Sequence, residues 1–151
     1  MMRMSQAQPD PKQDHVTLLA DLTAAGKPVF EVLPAVPLGV DLFELTGSPG
    51  LTLGCAAGDV IRRAPDGRFS VERRGPNYCI QVYRGGPFSE ASLEKLSEIA
   101  SRARGVVESP SDRRFAVVTV PRAGANKDLE ELLDSWAESE GGAHWWFGNK
   151  D

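Results

Sequence analysis

Cysteine is scarce in this chain, with Cys55 and Cys79 the only two among 151 residues. Two thiols cannot build the disulfide framework of a small secreted domain. Both sit among apolar neighbours, so they read as reduced, buried packing residues. Histidine is equally sparse, with His15 and His144 near opposite ends. No pair among these four residues has metal-ligand spacing and each falls in a different predicted element, so neither a metal nor a cofactor is expected. No Ser/His/Asp or Cys/His nucleophile arrangement is visible, and the expectation is a protein that is not an enzyme. No apolar run is long enough to cross a bilayer, which leaves no expected membrane partner. Positive charge is not in excess either. The formal net charge is −4, whereas a nonspecific nucleic-acid binder needs a cationic surface to displace counterions. Residues 1–14 are polar and lack the apolar core of a signal peptide, which predicts a loose tail and a cytoplasmic location.

What remains is ordinary globular composition, 41% hydrophobic and 25% charged, in a chain long enough for one domain or two very small ones. Residues 15–76 read as a β-rich half. The segment 15–22 suits a short helix with Leu18, Leu19, Leu22 and Ala25 on one face, and equally a strand. A strand over 29–33 is expected to end at Pro34 and Pro37. Val40, Leu42 and Leu45 belong to a second strand, stopped by the Gly47-Ser48-Pro49-Gly50 turn, and Leu51 to Leu53 forms a short apolar run. Gly58-Asp59 opens a strand to about residue 64, Pro65-Asp66-Gly67 turns tightly, and 68–73 alternates around Phe69 and Val71. Short strands at regular spacing suggest a small antiparallel barrel or curled sheet.

Gly75-Pro76-Asn77 is the expected hinge. Beyond it, residues 77–148 read strand, helix, strand, strand, helix, strand, the order of a ferredoxin-like unit. Ser89 caps the first helix, Phe88 and Leu93 staple it, and Leu93, Leu96, Ala100 and Ala103 form its buried stripe. Gly105 supplies its left-handed stop. Phe115 to Val120 is the most clearly buried strand. Asn126 or Asp128 caps a second helix, whose Leu129, Leu132, Leu133 and Trp136 share a face. Gly141-Gly142 closes that helix, and residues 143–147 return as the last strand. The fold class is therefore α+β: an N-terminal antiparallel β-barrel-like half packed on a C-terminal ferredoxin-like β-α-β-β-α-β half.

Several polar constellations compete for a functional role. Asp59 is either a ligand-site carboxylate or a turn residue bonded to nearby backbone, and the lack of a neighbouring carboxylate or His favours the turn. Residues 113–120 sit where RNA-recognition motifs carry stacking aromatics. Val117 and Val120 stand there instead, which suits an apolar sheet face covered by the N-terminal half. The second helix is acidic, with no Lys or Arg between Asp128 and Gly142. Trp145 and Trp146 follow it and must point to opposite faces of a strand. A binding role follows, with a protein partner such as a basic toxin domain met in immunity fashion by Glu131, Asp134, Glu138, Trp145 and Trp146. The alternative is a small-molecule sensor pairing edge to edge, with Gly85-Gly86 near the ligand. An enzyme would need a pocket gathering Asp59, His144 or Cys79.

The runs Ala56-Ala57-Gly58-Asp59-Val60-Ile61, Asp66-Gly67-Arg68-Phe69-Ser70-Val71 and Gly75-Pro76-Asn77-Tyr78 resemble a bacterial family known as domain of unknown function 4265. The layout is also similar, with Glu31 on an early strand and Ser48-Pro49 at the turn before the Gly-Asp-Val motif. Gly50 and Leu51 stand where that family usually carries an aromatic. The resemblance spans roughly residues 16–147, implies that 15–22 is a strand, and brings no activity with it.

Overall fold

The computed structural model describes residues 14–150, so the loose tail expected over 1–14 lies outside the described residues except for Asp14. Two antiparallel sheets and two helices make an α+β architecture. The first sheet is a meander in the order β1 (His15–Leu22), β2 (Pro28–Gly39), β3 (Leu42–Leu45), β4 (Val60–Arg63) and β5 (Phe69–Arg73). Alternation decides which side is buried: Val16, Leu18, Leu33, Ala35, Leu45 and Ile61 point inward and close around Cys55. The segment 15–22 is a strand, as the resemblance implied. The sheet curls, because the β4–β5 turn reaches back to β1, where Leu19 N–H donates to the Gly67 carbonyl at 2.8 Å. It does not close into a barrel: β1 and β5 remain its edges.

Two local expectations give way here. Pro34 and Pro37 do not end β2, which runs through both. Pro34 stands where β2 changes partner from β1 to β3, and its carbonyl still accepts Thr46 N–H at 3.0 Å. Pro37 sits at a register shift, so neither proline removes a bond from a regular ladder. Val40 is in the β2–β3 turn, not a strand, and Asp41 beside it takes a left-handed φ of 57°. The short apolar run Leu51 to Leu53 lies in the long loop, residues 46–59, between β3 and β4.

The second sheet has the order β7-β8-β6-β9, built from β6 (Asn77–Tyr83), β7 (Val106–Glu108), β8 (Phe115–Pro121) and β9 (His144–Phe147). Helices α1 (Glu90–Arg102) and α2 (Lys127–Ser139) pack on one face. Ile80, Val82, Ala116, Val118 and Val120 form that face, and Leu93, Leu96, Leu129, Leu133 and Trp136 cover it. The caps are those the spacing predicts. Ser89 accepts Ser92 N–H, and Asn126 accepts Leu129 N–H at 3.0 Å. Phe88 and Leu93 are both fully buried at the start of α1. The stop of α1 differs from expectation, since Arg104, not Gly105, takes the left-handed conformation at φ 63°. Gly105 N–H bonds Ala100 C=O at 2.8 Å and Arg104 N–H bonds Ser101 C=O at 3.0 Å, a Schellman closure. Glycine is needed at 105 for room instead, because a Cβ there would stand 2.9 Å from the Thr119 carbonyl oxygen. No helix among the described residues is long and apolar enough to cross a membrane.

Candidate functional site: a cleft where loop 46–59 meets the second sheet

Strand alternation sends Cys79, Gln81 and Tyr83 of β6, and Phe115, Val117 and Thr119 of β8, to the face away from the helices. Register aligns them in rows: His144, Tyr83 and Phe115 in one, and Trp146, Gln81 and Val117 in the next. The loop 46–59 lies on this face and binds it through its own backbone. Gln81 Nε2 donates to the carbonyls of Pro49 at 3.1 Å and Thr52 at 2.9 Å, and Cys79 Sγ donates to Pro49 at 3.2 Å. Thr119 Oγ1 donates to Ser48 Oγ at 2.7 Å. Val117 is thus buried among Ala56, Cys79 and Phe115, an apolar surface covered by the N-terminal half.

Two carboxylates shape the loop. Asp59 is wholly buried, with Oδ2 accepting Ala56 N–H at 3.0 Å and Oδ1 accepting Gly75 N–H at 2.7 Å. It ties the loop to the 75–77 link, which is pinned and not a free hinge, since Arg122 N–H also bonds the Pro76 carbonyl at 2.8 Å. Glu31 of β2 accepts the amides of Gly50 at 2.7 Å, Leu51 at 3.2 Å and Thr52 at 2.9 Å, together with the Thr52 hydroxyl at 2.7 Å. Sequence reasoning missed this clamp.

The loop does not reach the end of the sheet face. Where it stops, at Gly50 and Leu51, a cleft of about 460 Å³ opens. Tyr83, Phe115 and Trp146 supply its aromatic surface, Arg84 and Arg114 its charge, and Gly85-Gly86-Pro87 its far edge. Gly50 packs directly on the Phe115 ring, and a Cβ at that position would overlap it. Much of the polar equipment is already engaged. The Trp146 indole N–H donates to Gln81 Oε1 at 2.7 Å, and the Gln81 amide nitrogen is committed to the loop. Arg84 approaches Glu140 at 4.0 Å and Arg114 approaches Asp112 at 3.7 Å, each through one nitrogen. A guanidinium carries five donors, so most remain available.

The residues singled out from sequence are divided by this arrangement. Glu131, Asp134 and Glu138 are exposed on α2. Trp145 belongs with them on the helix side, where its N–H donates to Asp134 Oδ1 at 2.9 Å while its rings pack against the core. Trp146 points to the opposite face, is 41% exposed and lines the cleft. Asp59 and Cys79 are buried and His144 is exposed, and none of the three lines the cleft. No group of three or more His, Cys, Asp or Glu among the described residues is placed to hold a metal ion. Burial pushes the Cys55 thiol up to about 12, with Asp59 and Glu31 adding to the effect, and pushes Cys79 up as well.

None of the curated proteins matches the chain in sequence. A solved structure described as a novel crystal structure of a hypothetical protein from Neisseria gonorrhoeae is similar to it, with TM-score 0.68 over 93% of this chain and 96% of that one. At 14% identity the likeness concerns the fold alone. The family model for a domain of unknown function, DUF4265, matches residues 31–145, from the Glu31 clamp through the Gly58-Asp59 and Asp66-Gly67 motifs to Trp145. That span is most of the chain, and the protein belongs to the DUF4265 family.

Proposed function

We propose that this is a non-enzymatic binding protein that holds a small molecule in the cleft between loop 46–59 and the open face of its second sheet. The observation that carries the reading is the cleft itself, about 460 Å³ with aromatic walls and two arginines, a size and lining typical of small-molecule sites. The groups an enzyme would recruit are spent elsewhere. Asp59 is engaged by the amides of Ala56 and Gly75, Glu31 by loop amides, and burial raises the pKa of both thiols. The strand order β7-β8-β6-β9, with both helices on one face, supports a ferredoxin-like reading of residues 77–148. The contact between Gly67 and Leu19 supports a barrel-like curl of residues 15–76. Two buried free thiols support a reducing, cytoplasmic setting. Thermal-shift screening against amino acids and nucleotides tests the function. A rise of several degrees with one compound, lost in Trp146→Ala, supports it. Shifts that Trp146→Ala leaves intact place the binding elsewhere and refute the cleft.

A second reading rests on a different observation. Glu131 and Glu138 on the outer face of α2 have no ion-pair partner among the described residues, and no cation interrupts that helix after Lys127. This face supports capture of a basic protein partner, as in an immunity protein that blocks a competition toxin, with Trp145 packed beside Asp134. Glu131→Lys combined with Asp134→Lys should abolish partner capture in a pull-down from the native host, and undiminished capture would rule this reading out.

A further inference from the structure

Resting on the cleft as the binding site, we infer that its ligand is a planar organic anion: an aromatic or heteroaromatic ring bearing a carboxylate, sulfonate or phosphate group. Three observations converge on this class. First, the cleft residues include two cations and no acid. Arg84 and Arg114 each hold one loose contact to a carboxylate outside the cleft and lie over the Phe88 and Phe115 rings at 5.8 and 5.6 Å, with side chains 35% and 66% exposed. An incoming anion would therefore find unspent guanidinium donors.

Second, two of the neutral side chains at the cleft are already engaged within the protein. The Trp146 N–H and the Gln81 amide nitrogen are bonded within the protein. What remains beside the arginines is the Tyr83 hydroxyl and the flat ring surfaces of Tyr83, Phe115 and Trp146, which suit a ring.

Third, Gly85 and Gly86 are glycines without an internal reason to be so. Neither has a positive φ, and a Cβ on either would meet no atom within 4 Å. Every other described glycine with such open surroundings, Gly26, Gly141 and Gly142, has a positive φ that explains it. At the cleft edge, absent side chains keep space and leave two backbone amides uncovered. Amides beside arginines are the usual partners of an anionic group.

The test uses the full chain and two fluorescent probes that differ by one charge, 1-anilinonaphthalene-8-sulfonate and its uncharged counterpart N-phenyl-1-naphthylamine. The sulfonate should bind saturably and at least about tenfold more tightly than the neutral probe. Arg84→Gln with Arg114→Gln should erase that difference by weakening the sulfonate alone. Gly86→Val should exclude both probes, and the open surroundings of Gly86 let that variant fold, as circular dichroism would verify. Indole-3-acetate should displace the probe better than indole-3-acetamide, and adenosine monophosphate better than adenosine. Whichever pair separates more widely tells carboxylate from phosphate. Equal binding of both probes, lost together in Gly86→Val, would overturn the anion class and leave the cleft standing. No saturable binding of either probe, or binding that Gly86→Val leaves unchanged, would overturn the cleft as well.

Discussion

Replacing Glu31 by alanine would strip the 50–52 segment of a shared acceptor, and the loss can be sized from the geometry. Four donors converge on this carboxylate. The Leu51 amide, at 3.2 Å on an exposed residue, can turn to water, and the Thr52 hydroxyl can rotate to another acceptor. The amides of Gly50 and Thr52, at 2.7 and 2.9 Å in part-buried surroundings, have no such escape. Hydrogen bonds to a charged group contribute roughly 1.5–3 kcal/mol each, and stranded buried donors cost a similar amount. Allowing for some entry of water, Glu31→Ala should destabilise the fold by about 3–4 kcal/mol. Glu31→Gln keeps one acceptor oxygen but turns an NH2 toward a donor, and should cost about 2 kcal/mol. Thr52→Val should cost about 1 kcal/mol alone and less on top of Glu31→Gln, because both act on one network. Urea unfolding followed by circular dichroism measures all four proteins, with an unchanged denaturant slope required for the comparison. Because Gly50 and Leu51 wall the cleft, the emission of Trp146 should also move to the red in Glu31→Ala. A loss below about 0.5 kcal/mol, within the range of ordinary surface substitutions, would refute the clamp. The loop would then be held by its packing on Phe115 and Val117.

Three further outcomes concern the buried thiols and the loop. The Cys55 thiol ionises near 12 in the folded protein and near its ordinary value of 9 when unfolded. A folded-state value that is raised contributes stability below the unfolded value and loses it as pH climbs toward the folded one. Stability should therefore decline from about pH 9 to about pH 12, and Cys55→Ser should lessen that decline in urea titrations across the range, the raised Cys79 keeping the rest. Native protein at pH 8 should also resist iodoacetamide until it unfolds. Gly50→Ala would drive a methyl into the Phe115 ring and should cost about 1–3 kcal/mol by overpacking, with Phe115→Leu restoring part of the loss in a thermal melt. A fully additive double variant would show that the two positions do not press on each other.

The second sheet and its helices were largely legible because their residues obey two clean periods. Leu93, Leu96 and Ala100 repeat on a helical face, as do Leu129, Leu133 and Trp136, and Ala116, Val118 and Val120 alternate on a strand. Breaker residues misled where tertiary position decides. Pro34 and Pro37 are harmless in β2 because one marks a change of partner and the other a register shift. Gly105 is glycine for the nearness of Thr119, so its neighbour Arg104 carries the left-handed turn. The cleft was mostly hidden. Its wall joins Leu51, Tyr83, Phe115 and Trp146, drawn from four separate elements, and no local pattern links them. Only the glycine pair at 85–86 and the opposed tryptophans left a trace. The Glu31 clamp left none beyond its acid, since three of its four donors are main-chain amides that every residue type but proline provides.

The placement of loop 46–59 should make the chain indivisible. Although it belongs by position to the first half, it finishes the second half's sheet, satisfying Gln81 and roofing Val117. Residues 77–150 expressed alone would bare a sticky β-surface with an orphaned amide at its centre, and residues 14–76 would carry an unanchored flap. Severing the polypeptide at Gly75 should therefore yield two aggregating fragments in place of two modules. The intact molecule should melt in one cooperative step, and its slow, sequence-distant pairing should delay folding until the ribosome has released nearly all of it.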